Sequence, residues 1–550
     1  MTNSDIADVL KLYADLSELH GGNPFKIKSF AAASFNIDKM PQALELLDLA
    51  ALEKVPGIGK SIAVVIDALN KTETFPELQK LLEETPEGVL QIMKVKGIGP
   101  KKVAVIWKEM GIESVGELLY ACKENRLSQV KGFGLKTQDS IKKQIEFMFA
   151  NAHKFHYAKA EGPALEFLKD LQNEIHELAS FSGAIRRAVE VLECIEYLVP
   201  VQDMETSING IASMPYLSEI EIMDELIEGK LGSYPVSIKL VPEENFYYHL
   251  FIETAAEEHL KQLDTLPDEF TTYHSEEEVY EQIGLSYIEP ELREGRNEII
   301  LARSGALPNL IEFEDLRGPL HNHSQWSDGQ NTIEEMALWC INKAYSYLGM
   351  ADHSKSAFYA KGLSEERVFA QQKEIDALNL KYPDFKILKG IECDILNDGN
   401  LDYDNEVLKT FDYVVASVHS NLKMTEEKAM MRLLKAIENP YTSILGHPTG
   451  RLLLMREGYP INHKKIIDAC AANGVHIEIN ANPYRLDLDW RYVSYAMDKG
   501  VMLSINPDAH ELEGFLDMYY GTLVARKGGL TKECCLNCLE IDELMKKLKK

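Results

Sequence analysis

From about residue 317 onward the chain repeats one pattern: a short apolar run, a histidine or carboxylate at its end, then an amphipathic stretch. The runs beginning at Tyr347, Ile387, Tyr413, Ser443 and Val501 read as strands. Between them, residues 333–345 and 426–437 place apolar positions at helical spacing. This alternation predicts parallel strands joined by helices, an arrangement that gathers the groups at its strand ends around one mouth. The first 150 residues are patterned differently, as short helical stretches joined by glycine, apolar, glycine connections. The middle of the chain carries two strand-like runs, 191–199 and 234–242.

The glycine connections recur three times, as Val55-Pro-Gly-Ile-Gly-Lys60, Val95-Lys-Gly-Ile-Gly-Pro-Lys-Lys102 and Val130-Lys-Gly-Phe-Gly-Leu-Lys136. Glycine permits positive φ and close backbone approach, so amides at the start of the following helix can face a phosphate. The repeats therefore make Gly57, Gly59, Lys60, Gly97, Gly99, Lys101, Lys102, Gly132, Gly134 and Lys136 candidate phosphate contacts, which the resemblance that follows makes candidate DNA contacts. The pattern resembles the helix-hairpin-helix, a grip on the DNA backbone that does not read sequence. Its alternative is a tight connection used only for packing.

Charge qualifies that expectation. The net charge is −29, but residues 1–150 are nearly balanced, with 19 Lys+Arg against 20 Asp+Glu. Residues 151–310 carry 11 against 31, so the middle of the chain repels phosphate. At 550 residues, several domains are required. No long apolar run suggests a membrane span, and Met1-Thr-Asn-Ser-Asp lacks the order of a secretory signal, which leads to an expectation of a cytoplasmic, monomeric protein. The eight cysteines do not form a disulfide pattern, and the Cys534, Cys535, Cys538 cluster reads as structural.

The ligand-type residues at the C-terminal strand ends are His321, His323, Asp328, His353, Glu392, His419, His447, Asp508 and His510. A lone histidine after a strand is usually a core residue; nine such groups in equivalent places are not. They match, motif by motif, the ligands of the PHP family, the polymerase-and-histidinol-phosphatase domain. That resemblance implies a distorted seven-stranded βα barrel holding three divalent ions. Mixed imidazole and carboxylate donors suit Mn²⁺, Zn²⁺ or Fe²⁺ better than Mg²⁺. Clustered ions of that kind activate water and stabilise a leaving oxygen without a covalent protein nucleophile. Gly446-His-Pro-Thr-Gly-Arg451 and Glu478-Ile-Asn-Ala-Asn-Pro-Tyr-Arg-Leu-Asp487 resemble the PHP domain fused to bacterial X-family DNA polymerases, and make Arg451 and Arg485 candidates to meet a DNA phosphate. Their alternative is an ion pair with Asp487 or Asp489.

The rest of the chain is similar to the same polymerases. Gly22-Asn-Pro-Phe-Lys-Ile-Lys-Ser-Phe30 resembles their N-terminal start, with Val65 where some members carry a lyase lysine. Phe181-Ser-Gly-Ala-Ile-Arg-Arg187 resembles their nucleotidyltransferase turn, and residues 276–293 their thumb. In that family three aspartates hold two Mg²⁺; the matching positions here are Cys194, Glu196 and Ser237. A thiol and a hydroxyl in place of two carboxylates imply a polymerase site that has lost its metals. A shifted register using Glu190, Glu193 or Glu196 is the competing account.

The expected fold is multidomain α and α/β. It comprises an N-terminal helical domain with the first hairpin (1–85), a fingers-like hairpin domain (86–150), a degenerate palm (151–245), a thumb-like segment (246–310) and the PHP barrel (317–550). The expected function is DNA repair. A 3′→5′ exonuclease, with abasic-site endonuclease as a further activity, would work on gapped or 3′-recessed duplex. A gap-filling polymerase, a small-molecule phosphatase and a non-enzymatic DNA adaptor are the alternatives.

Overall fold

The computed structural model describes residues 1–40 and 42–549 and divides into two compact units, Met1–His153 and Lys154–Lys550. The first unit is helical. Its three glycine connections share one geometry: the leading valine carbonyl accepts from the amide three residues on, with Ile58 to Val55 at 3.1 Å, Ile98 to Val95 at 3.3 Å and Phe133 to Val130 at 3.0 Å. Gly57, Gly97 and Gly132 have φ of 88, 93 and 95°, the left-handed region that disfavours a Cβ. Gly59, Gly99 and Gly134 then cap the helices Lys60–Thr72, Pro100–Ala104 and Leu135–Ala150 without a side-chain hydrogen bond. Ile58, Ile98 and Phe133 are buried and anchor each turn to the unit's core.

The second unit begins with two small antiparallel pairings. Strand β1 (Phe155–His156) pairs with β3 (Val191–Leu192), and β2 (Ser180–Phe181) pairs with β4 (Ile195–Val201). With β5 (Leu217–Met223), β6 (Leu226–Leu231) and β7 (Tyr234–Pro242), the sheet order is β2-β4-β7-β6-β5. The run expected as one strand over 191–199 is thus broken: β3 follows β1 and β4 follows β7, so the chain changes partner at Glu193–Cys194. Cys194 falls in that break, whereas Glu196 lies on β4 opposite Ser237 on β7. The glycine turn that follows β2 is tied to residues 246–298. Arg186 bonds Glu276 and Thr254, and Arg187 bonds Glu294 at 2.8 Å. Fully buried Arg293 bonds the same Glu276 at 2.5 Å.

In the C-terminal part, β8 (Tyr347–Gly349) pairs parallel with β9 (Lys386–Leu388). Strands β10 (Gly390–Asp394), β11 (Tyr413–Ser417), β12 (Ile444–Leu445), β13 (His476–Asn480) and β14 (Leu503–Asn506) form a parallel sheet in chain order. Lys389 alone separates β9 from β10. The extended segment around Leu320–His323 joins the outer edges. On one side Gly349 donates to Pro319 and Ala351 to Asn322; on the other His323 donates to Ala509 and Asp508 to His321, all at 2.8–3.1 Å. Helices Ile333–Asn342, Glu365–Lys381, Glu426–Ile437, His463–Asn473 and Met518–Lys527 cover the strands. Tyr413 crosses the interior, and its hydroxyl donates to the carbonyls of Leu320 and Met350. Gly349 and Gly390 are small because a Cβ at either would collide with that ring.

The acidic middle segment docks on the strand layer through ion pairs. Glu291 meets Arg526 at 2.7 Å and Glu294 meets buried Lys527 at 2.5 Å. Glu190 accepts from Trp490 at 3.2 Å and faces Arg491 at 3.6 Å, while Glu161 accepts from Tyr519 at 2.8 Å. Part of the local negative charge is therefore spent on internal cations.

The Glu276 cluster makes a stability prediction. Burial opposes its charge, but Arg293 and Arg186 outweigh that and hold the carboxyl at about 2. A depressed folded pKa stabilises above the unfolded value of 4.5, and that contribution is lost as pH falls from there toward 2. Arg293→Met leaves the carboxylate buried with one partner fewer, and is expected to cost about 3–5 kcal/mol by urea denaturation at neutral pH. The deficit should shrink as pH falls through that window.

Candidate metal centre

Each ligand-type residue reaches the centre from a strand or the turn beyond it. His321 and His323 come from the joining segment, Asp328 from the turn after it, and His353 from beyond β8. Glu392 is the middle residue of β10; His419 and His447 lie two residues past β11 and β12, and Asp508 and His510 follow β14. The structure brings all nine together.

Glu392 is the hub. One carboxylate, 1% exposed, lies 2.9 Å from His353, 3.0 Å from His419 and His447, 3.4 Å from His321 and 3.7 Å from His323. Asp508 adds contacts to His323 at 2.9 Å and to His321 at 3.6 Å. Toward the outside, Asp328 lies 3.5 Å from His510, 3.7 Å from His353 and 4.0 Å from His323. Three overlapping groups are close enough to hold an ion: His323, Asp328, His353 and His510; His321, His323 and Asp508; and His353, Glu392 and His419.

The chemistry of this donor set fits divalent cations. His321 Nε2, His323 Nδ1, His353 Nδ1, Glu392 Oε2 and His447 Nδ1 are buried without a hydrogen-bond partner. An orphaned buried polar atom costs roughly 1–3 kcal/mol, and His321, His323, His353 and Glu392 belong to groups whose ligand atoms lie close enough together for one ion to satisfy several of them. Several donors stand 2.9–3.7 Å apart without hydrogen-bond geometry. Ligands about 2.1 Å from one tetrahedral ion are about 3.4 Å from each other. Burial, with help from His510 and His353, brings His323 down to about 3, so its ring is neutral and offers a lone pair. Burial works against charge on Asp328, but the neighbouring histidines outweigh it and hold that carboxyl at about 2.

A further layer orients these ligands. Glu478 on β13, fully buried, accepts from His321 Nδ1 at 2.7 Å, from Asn506 at 3.1 Å and from the His447 amide at 2.8 Å. Asp394 takes His419 Nδ1 at 2.5 Å, and Asn480 donates to Asp508 at 3.0 Å. Buried Asp352 binds the amides and hydroxyls of Ser324 and Ser327 and the Gln371 amide, fixing the turn that carries Asp328. Sequence reasoning did not single out Glu478, Asp394 or Asp352 as site residues. The signal was present, since each is a carboxylate inside or at the end of an otherwise apolar strand run.

The two arginines part company. Arg451 is held by Asp489 at 2.6 Å and by the carbonyls of Arg485 and Leu486. Arg485 instead lies 3.8 Å from Asp508, at the edge of the ligand cluster. Tyr359 stands beside His353, and burial together with Asp394, Glu392 and Asp328 pushes its hydroxyl up to about 12.

Residues 319–482 match the PHP domain family, 1–75 a helix-hairpin-helix domain and 89–146 a SAM-like helix-hairpin-helix tandem. A PHP domain whose strand ends gather buried groups able to bind metal makes the C-terminal part a hydrolase of the metal-dependent phosphoesterase class. Over that part the chain is 28% identical to a probable phosphatase of Thermoanaerobacter sp. (strain X514), covering 40% of this chain and 88% of the relative. A probable phosphatase of Caldanaerobacter subterraneus is 31% identical, covering 33% and 70%. Across the full length of both chains, 34% of positions are identical to the DNA polymerase/3'-5' exonuclease PolX of Bacillus subtilis (strain 168). The chain belongs to the PolX family of bacterial X-family polymerase relatives with helix-hairpin-helix and PHP domains.

Removing the charge that orients His321 tests the outer layer. Glu478→Gln is expected to weaken metal retention by about 10- to 100-fold, read by metal analysis after dialysis against a graded chelator. Retention equal to wild type would make Glu478 a packing residue only.

Proposed function

We propose that this protein is a DNA-binding, metal-dependent phosphodiesterase of DNA repair, a 3′→5′ exonuclease with abasic-site incision as a further activity of the same centre. The observation that carries this reading is the contrast between two sites in one chain. The strand ends of the PHP domain gather nine ligand-type residues, five of whose buried donor atoms have no hydrogen-bond partner. We read the joined strands as a distorted seven-stranded barrel, with His321, His323, Asp328, His353, Glu392, His419, His447, Asp508 and His510 holding three divalent ions, Mn²⁺, Zn²⁺ or Fe²⁺. Bound there, such ions supply Lewis acidity toward a phosphoryl oxygen and lower the pKa of water.

The palm is arranged otherwise. Glu196 is folded back on the Gly183 turn and accepts the Ala184 amide at 2.8 Å. Among the described residues, none of the candidate ion-holding groups of His, Cys, Asp and Glu includes Cys194 or Glu196. Arg186 and Arg187 of the same turn are engaged by Glu276 and Glu294. On this reading the polymerase half delivers DNA and does not extend it.

The hairpins suit that delivery. A Cβ on Gly59, Gly99 or Gly134 would meet nothing within 4 Å, so packing inside the chain does not explain these glycines. Close approach of an outside backbone does, with free amides at three helix starts and Lys60, Lys101, Lys102 and Lys136 beside them. At the metal centre we assign the phosphate-facing role to Arg485, and to Arg451 the task of holding Arg485 in place through its carbonyl.

A gap-filling polymerase is the second reading, favoured by the full-length identity to a relative whose name includes that activity. A paired assay with Mn²⁺ separates them. His419→Ala is expected to abolish 3′ digestion of a gapped duplex, and Glu196→Ala to leave it unchanged. Wild-type nucleotide incorporation that disappears in Glu196→Ala would overturn the delivery role and establish a working palm.

A further inference from the structure

The loop after His353 is braced more firmly than its surface position requires. Ser356 gives its amide and hydroxyl to Asp402 at 2.6 and 2.5 Å. Ala357 and Gly362 close turns on Ser354 and Ala357, and Leu363 returns to the His353 carbonyl at 2.8 Å. Arg367 binds the Lys361 carbonyl, and a Cβ on Gly362 would collide with Ser354. Ala357, Ala360 and Leu363 are buried beneath.

At the crest of this fixed turn, two adjacent aromatic rings face solvent, Phe358 at 85% exposure and Tyr359 at 55%. Their centroids are 6.1 Å apart at an interplanar angle of 76°, and Tyr359 is 6.4 Å from the His353 ring. Single exposed apolar side chains are ordinary. A rigid aromatic pair bordering a ligand cluster is a surface awaiting a partner. The neighbours say which kind: the metal ligands and Arg485 suit a phosphate, so the group one step along the same molecule falls on the rings. Aromatic faces accept bases of any sequence by stacking.

We propose that Phe358 and Tyr359 form a stacking platform for the nucleobase at the 3′ end of the strand being cut, so that in exonucleolytic digestion the centre favours a base-bearing terminal nucleotide over a bare terminal sugar-phosphate, with internal abasic-site incision lying outside the platform's reach. This rests on the nuclease reading above. The platform positions the strand for the centre and takes no part in the chemistry.

The test removes the ring and the base separately and together. Duplexes ending 3′ in a normal nucleotide or in a tetrahydrofuran abasic analogue are digested by wild type, by Phe358→Ala/Tyr359→Ala and by Phe358→Trp. Wild type is expected to favour the base-bearing end by about tenfold or more in kcat/KM, carried mainly by KM. In the double alanine variant that ratio should approach one, and Phe358→Trp, which keeps a ring at that position, should retain it. In a His419→Ala background, which binds without cutting, a terminal 2-aminopurine should be quenched, and the quenching should vanish when both rings are removed. A base-to-abasic ratio equal in wild type and the double variant overturns the platform, as does a double variant slowed equally on both ends. Wild type that digests neither duplex sinks the nuclease reading itself, a distinct outcome.

Discussion

The placement of one carboxylate governs the C-terminal part of this protein. Glu392 is sealed in the interior with five imidazoles around it, and neither member of such a set is tolerable there alone. Burial drives a carboxyl toward its neutral acid and an imidazole toward its neutral base. Together they offset each other, and the donor atoms left over suit a divalent cation. The parallel strands hold these groups at fixed separations. The outer carboxylates Glu478, Asp394 and Asp352 exist to keep the imidazoles and the Asp328 turn from relaxing into other arrangements.

Much of this was legible in the sequence because ligand chemistry is local. A histidine or acid at the end of each apolar run announces itself, and the repeat of that rhythm fixed both the strand positions and the residues that meet. The three glycine turns were legible for a similar reason, since a left-handed residue followed by a helix start has a short signature. What escaped was whatever depends on partners distant in the chain. Arg451 and Arg485 looked equivalent as residues, and only the fold separates them, by giving one to Asp489 and backbone carbonyls and the other to the rim of the centre. The break at Cys194 was hidden for the same reason, because an apolar run does not reveal that its two halves pair with different strands.

The acidity of residues 151–310 is a case where the sequence-level reading was incomplete. A strong negative balance repels phosphate, and that remains a valid argument about net field. Yet several of those acids face inward or across to the strand layer, where Arg526, Lys527, Arg491 and the indole of Trp490 meet them. Charge counted along a chain overstates the charge presented to solvent when two of its segments are joined through ion pairs.

That seam bears on how such a chain can change over time. The acids that dock the middle segment, Glu161, Glu190, Glu291 and Glu294, are different residues from the three polymerase positions Cys194, Glu196 and Ser237. Substitution at those three positions leaves the docking acids in place, so the attachment of the middle segment does not depend on what they do. Deleting that segment is a different matter, since it would take Glu294 from Lys527 and Glu190 from the indole of Trp490. The middle segment is in this sense a structural dependency of its neighbour.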